Sequence, residues 1–287
     1  MRERGLVPSI VGMATNMPRG ILRALWSLST PLGTETIEPS APNQSYSKRS
    51  RRGIAPLVDV YLPSRPGPHP SVVLVHGGGF LIGSRRMKPI RYLATRLVQA
   101  GFAVAAPDYR LLFRGGALEE GVADVDAAFR WWKNQAAHYT LDPSRIATLG
   151  LSAGATLMWL ALRHSTLSPS HIVSLFGLYD FSWLSDPRSR LLRHYLLKSP
   201  DLASWQSRSP LSQTELSAPT LLIHGDEDRL TPAEHAHEMK ARRERAGGLT
   251  TQLDIVPGAR HGFLNNAEDP VCEPCIARIV AFLRRDH

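Results

Sequence analysis

Apolar residues recur along this chain in runs of two kinds. Residues 57–62, Leu-Val-Asp-Val-Tyr-Leu, alternate as a half-exposed strand does, whereas 71–75, Ser-Val-Val-Leu-Val, form a short continuous apolar run. The second kind suits a strand buried on both faces. A helical stretch follows near 88–100, an apolar run at 102–106, and a helix whose Val122, Val125, Phe129 and Trp132 share one stripe. Further strands are predicted at 145–149, 172–176, 220–224 and 251–256, helices at 153–163 and 232–245, and a last apolar stretch at 276–283. Strand alternating with helix predicts a parallel sheet with helices on its faces.

Two intervals break this rhythm. Residues 31–53 are rich in Pro, Ser, Thr, Asn and Gln and read as a connecting loop, so the body begins near 54. Between 176 and 220 lie over forty residues that include Trp183, Tyr195 and Trp205. That is too long for a plain connection, and 181–213 reads as a small helical cap over one edge of the sheet. The expected organisation is an arm and linker at 1–53, belonging in part to the cap, and an α/β domain at 54–287 carrying the insertion.

The 287 residues, 43% hydrophobic and 21% charged, exclude a disordered or collagen-like chain. The formal charge of +9 raises nucleic acid as a partner. Its distribution argues otherwise: the densest cluster, Lys48-Arg49-Ser50-Arg51-Arg52, carries no interleaved aromatics to stack on bases, and reads as a solvated basic face. Cys272 and Cys275 lack the second ligand pair of a structural zinc site, so no metal and no cofactor is expected. No apolar run approaches the roughly 20 residues that span a bilayer. The start of the chain, with Arg2, Arg4, Arg19 and Arg23 against Glu3, makes a poor secretory segment. It reads as a docked helical arm around 21–28 of a cytoplasmic protein, peripheral membrane association through that arm being the alternative.

The strongest local signal is Gly150-Leu151-Ser152-Ala153-Gly154, directly after a strand and before a helix. A sharp strand-to-helix turn needs small flanking residues and lifts the serine oxygen clear of the sheet edge; the plainer reading is a serine that caps the helix. A serine hydroxyl needs a base, and His261 in Gly258-Ala-Arg-His-Gly-Phe263 lies in a loop beyond a strand, whereas His224 ends a buried strand and His235 and His237 fall in a helix. The imidazole needs an acid. Asp226 and Asp228 both follow the strand 220–224, and position alone leaves them unseparated. An oxyanion needs backbone donors, which His76-Gly77-Gly78-Gly79-Phe80 can turn toward a ligand without side chains in the way. His76 itself reads as structural.

Together HGGGF, GLSAG, HGDEDRLTP and ARHGF, with Asp108-Tyr109-Arg110-Leu111 and Leu141-Asp142-Pro143-Ser144-Arg145-Ile146, resemble the hormone-sensitive-lipase-like and related small carboxylesterases. The resemblance implies the α/β-hydrolase fold and a cap built partly from the N-terminal region. It implies Ser152 as nucleophile, His261 as base, Asp228 as acid, and an oxyanion hole from the N–H groups of Gly78, Gly79 and Ala153. The chain departs from the group after DYRL, where Leu112-Phe113-Arg114-Gly115-Gly116 replaces an Ala-Pro-Glu run. The expected activity is a serine carboxylesterase acting on small to medium acyl esters through an acyl-enzyme. An amidase, aryl formamidase, peptidase or acyltransferase on the same triad is the alternative, and a non-catalytic ligand receptor a more distant one. Phe80, Trp183, Tyr195 and Trp205 are candidates to line the substrate entrance, against a role in the cap's own small core. The expected partner is a small-molecule ester, with a homodimer left open.

Overall fold

The computed structural model describes residues 36–47, 56–112, 114–185, 189–199, 201–212, 214–247 and 250–285. The helical arm expected around 21–28 and the basic cluster at 48–52 lie outside them.

Eight strands form one sheet: β1 Ala41–Ser45, β2 Leu57–Tyr61, β3 His69–Val75, β4 Ala103–Pro107, β5 Leu141–Leu151, β6 Ile172–Leu175, β7 Thr220–Gly225 and β8 Thr251–Val256, in the order β1-β2-β4-β3-β5-β6-β7-β8. From β4 to β8 every neighbour is parallel, while β2 runs antiparallel to both β1 and β4. Seven helices accompany them among the described residues: α1 Lys88–Gln99, α2 Leu118–Asn134, α3 Ala153–Leu162, α4 Arg190–Leu197, α5 Leu202–Ser207, α6 Glu234–Arg245 and α7 Cys272–Leu283.

The continuous apolar run of β3 is explained by two cores. Val73 and Val75 join one cluster with Val125, Phe129 and Trp132 of α2 and Trp159 of α3, while Val72 and Leu74 join another with Leu93 and Leu97 of α1 and Ile279 and Phe282 of α7. Each fully buried aliphatic of this kind stabilises the fold by about 1.5–3 kcal/mol relative to exposure. Helix α3 is buried on every side, which is why its sequence is apolar all round.

One expectation needs correction. The stretch 31–53, read as loop and as part of the cap, contains β1, which lies on the sheet edge and pairs Ala41 with Val60 and Gln44 with Val58 across an irregularity. Pro42 and a left-handed Asn43 (φ 56°) break any alternation there, and the strand exists because β2 offers it partners. The insertion after β6 does hold short helices: 3₁₀ turns at Phe181–Ser185 and Pro210–Ser212 flank α4 and α5. It is joined to the start of α2 by Arg208 on Glu119 and by Lys198 at 3.8 Å from Glu120.

Candidate active site

Strand β5 ends at Leu151 and α3 begins at Ala153, so Ser152 alone makes the turn. Its φ of 52° and ψ of −122° are strained for a residue with a side chain, and its backbone N–H is held by the Leu175 carbonyl at 2.9 Å. The turn also brings α3 hard against β3: a Cβ on Gly154 would stand 2.2 Å from the His76 carbonyl oxygen and 2.5 Å from that of Val75. The serine does not cap its helix. Its Oγ lies 2.8 Å from Nε2 of His261 instead.

His261 sits beyond β8, in a loop held by the Asp226 carboxylate, which accepts the Gly258 N–H at 2.7 Å. The two aspartates left open by position thus separate. Asp226 is exposed and braces the turn, whereas Asp228 is 4% exposed and its Oδ2 lies 2.7 Å from Nδ1 of His261. The Leu230 and Thr231 N–H groups both reach Asp228 Oδ1 at 2.9 Å, the local turn that Asp favours two and three residues before them. Burial would raise the Asp228 pKa. Hydrogen bonds from His224 and His261 outweigh it, and hold the carboxyl well below the usual carboxylate range. Phe176, at the end of β6, sets its ring edge-on to the His261 imidazole at 5.1 Å.

The glycine loop follows β3 and passes beside Ser152, for a Cβ on Gly77 would lie 3.2 Å from that of Ser152. Gly78 has a φ of 124° and packs so tightly on the Ile82 carbonyl that a Cβ would fall 1.9 Å from its oxygen; at Gly79 (φ 62°) the same space is open. The N–H groups of Gly78, Gly79 and Ala153 meet no acceptor among the described residues. His76 is fully buried, stacks on Tyr109 at 4.1 Å, and has its pKa pushed down by burial, as a structural histidine should.

The aromatic candidates divide. Trp183 is 49% and Tyr195 41% exposed, and Trp183 meets His235 edge-on at 5.2 Å. Trp205 is 5% exposed, donates its indole N–H to the Ser199 carbonyl at 2.8 Å, and lies under the Arg193 guanidinium. Phe80 is equally buried and belongs to the cluster on the α2 side of the sheet. Sequence reasoning weighed His224 only as a rival base and Asp108 only as part of a motif, and gave Thr231 and Arg85 no role. The signal for His224 was there, since a histidine ending a buried strand must find a partner.

Among the described residues no helix is long and apolar enough to cross a membrane. Solved structures share this architecture. The butyrate-bound esterase Est2 of Thermogutta terrifontis superposes with a TM-score of 0.71 at 24% identity, over 85% of this chain and 94% of that one. An acetyl ester-xyloside bifunctional hydrolase of Caldicellulosiruptor lactoaceticus gives 0.71 at 19% identity, over 86% and 99%. The fold is that of the α/β hydrolases. Among curated proteins, the chain is 27% identical over 236 residues to esterase LipC of Mycobacterium tuberculosis, covering 73% of this chain and 57% of LipC. It is 26% identical over 333 residues to a non-reducing polyketide synthase, ausA, of Aspergillus calidoustus, covering 82% of this chain and 13% of the synthase. The chain therefore spans little more than half the length of LipC and a small part of the synthase. The model of the BD-FAE family matches residues 58–242, about two thirds of the sequence, and the chain belongs to that family.

Proposed function

We propose that the protein is a serine carboxylesterase that hydrolyses small to medium acyl esters through an acyl-enzyme. The observation that carries this reading is the unbroken series Ser152 Oγ, His261, Asp228, with successive contacts of 2.8 and 2.7 Å. The likeness to LipC, named an esterase, supports the choice of ester as the bond broken.

In this reading His261 Nε2 takes the Ser152 proton as Oγ attacks the acyl carbon, while Asp228 holds the imidazole tautomer and offsets its charge. The N–H groups of Gly78, Gly79 and Ala153 bind the oxyanion, a role in which one lost donor costs about 2.7–4 kcal/mol. The alcohol leaves with the proton from His261. Water then attacks the acyl carbon and loses a proton to His261, which passes it to Ser152 Oγ as the acyl–oxygen bond breaks and the acid leaves.

A fluorophosphonate probe tests the proposal together with a chain-length series of p-nitrophenyl esters. Stoichiometric labelling at Ser152 and loss of ester turnover in Ser152→Ala are expected. Labelling elsewhere, or full activity in that variant, overturns it. Amide and thioester analogues run beside the esters would expose an amidase or an acyltransferase.

A further inference from the structure

Asp228 gathers more donors than a serine–histidine relay requires. Besides His261 Nδ1, its Oδ2 faces Thr231 Oγ1 at 3.0 Å and His224 Nε2 at 3.3 Å. His224 is fully buried near the end of β7, and the same Nε2 lies 2.5 Å from the Thr231 carbonyl oxygen. A carbonyl and a carboxylate only accept, so Nε2 carries a proton and shares it between them. Nδ1 of His224 is buried with no partner, so the whole hydrogen-bonding capacity of this ring is directed at the Asp228 turn. Thr231 completes the arrangement: its N–H takes Oδ1, and its hydroxyl stands 3.1 Å from His261 Nδ1 and 3.2 Å from the Phe176 carbonyl.

We propose that His224 and Thr231 are positioning residues that brace the Asp228 carboxylate from behind, fixing its rotamer so that Oδ2 faces His261. The inference rests on the triad reading above and adds to it a second histidine that never meets substrate. Sharing Oδ2 has a chemical consequence besides the geometric one. A donor on that oxygen draws off part of the carboxylate charge, and so limits how strongly Asp228 stabilises the His261 imidazolium. His235, at the start of α6, is coupled by charge to both His224 and Asp228, and is itself acted on by Glu234 beside it and by Asp180 at the entry to the insertion.

The experiment measures kcat and KM against pH for a p-nitrophenyl ester, using the full chain with His224→Leu, His224→Gln and His224→Asn. In His224→Leu, kcat is expected to fall about tenfold with KM within about twofold, the scale of one lost buried hydrogen bond. Its acid limb should rise by about half a pH unit, because His261 then faces the undivided carboxylate charge. His224→Gln can present an N–H at the Nε2 position and should restore both; His224→Asn, too short, should not. A folded His224→Leu with the parent kcat and acid limb overturns the proposal. If His224→Leu does not fold, equal rates in the Gln and Asn variants overturn it. Phosphonate labelling of the parent at Ser152 separates the two levels, since an unlabelled and inactive parent overturns the triad reading itself and this inference with it.

Discussion

The Asp108 carboxylate grips Arg85 twice, accepting its backbone N–H at 2.7 Å through Oδ1 and pairing with its guanidinium through Oδ2. Both residues are buried, and Asp59 of β2 lies 2.9 Å from Arg85 Nε on the other side. The segment leaving the glycine loop is therefore tied to the end of β4 and to β2, while Asn43 of β1 accepts from both Arg85 and Arg86. The ion cluster thus anchors the chain seven residues beyond Gly78 to the sheet.

Removing the cation would leave the buried Asp108 without its charged partner and Asp59 with only Arg86, at 3.4 Å. Arg85→Met is expected to lower the free energy of unfolding by about 3–5 kcal/mol in urea titrations, as for other buried pairs that lose one partner. A loss under about 1 kcal/mol would mean that the cluster is solvated in solution.

Glycines near the serine differ in what they tolerate. Gly154→Ala would drive a methyl into two backbone carbonyls and should cost at least about 3 kcal/mol or abolish folding, because backbone cannot move aside. Gly79→Ala meets open space and only the penalty of a left-handed φ, about 1–2 kcal/mol. Thermal melts that ranked the two in the opposite order would contradict the packing described.

Acid will weaken the fold through Asp228. Its folded pKa is depressed, so its stabilisation is complete above the unfolded value of about 3.9 and drains away as pH falls toward the folded one. The gap in unfolding free energy between the parent and Asp228→Asn should be widest near neutrality and narrow below about pH 4. A gap independent of pH would show that the charge of Asp228 contributes nothing.

Cys272 and Cys275 are buried on the inner face of α7, and burial pushes both thiols up to about 12. Iodoacetamide at pH 8 should leave the native protein unmodified and alkylate both cysteines in denaturant, read by mass spectrometry. Rapid labelling of the native state would show that the start of α7 opens.

Legibility followed locality. Strand β3 announces itself by a continuous apolar run and helix α2 by an apolar stripe, each readable within a few residues, and the Ser152 turn because tight geometry demands Gly150 and Gly154. Asp228 could be chosen over Asp226 only through the likeness to known esterases, since the difference between them lies in which loop each carboxylate reaches. Strand β1 was hidden because its partner, not its composition, makes it a strand. The brace at His224 was legible only in half: a histidine ending a buried strand must find a partner, but no spacing rule encodes that its contacts join β7 to a carbonyl seven residues on. Trp205 stayed open between two readings because an aromatic in an insertion serves an interior or an opening with equal ease.

The outermost strand on the β1 side carries a proline, a residue in the left-handed region and a break in its pairing within five positions. A flat margin would invite a neighbouring molecule to extend the ladder, whereas this one offers few aligned donors and acceptors to copy. Self-association by continuation of the sheet is accordingly discouraged along that border, and any pairing of molecules there would have to rely on side chains.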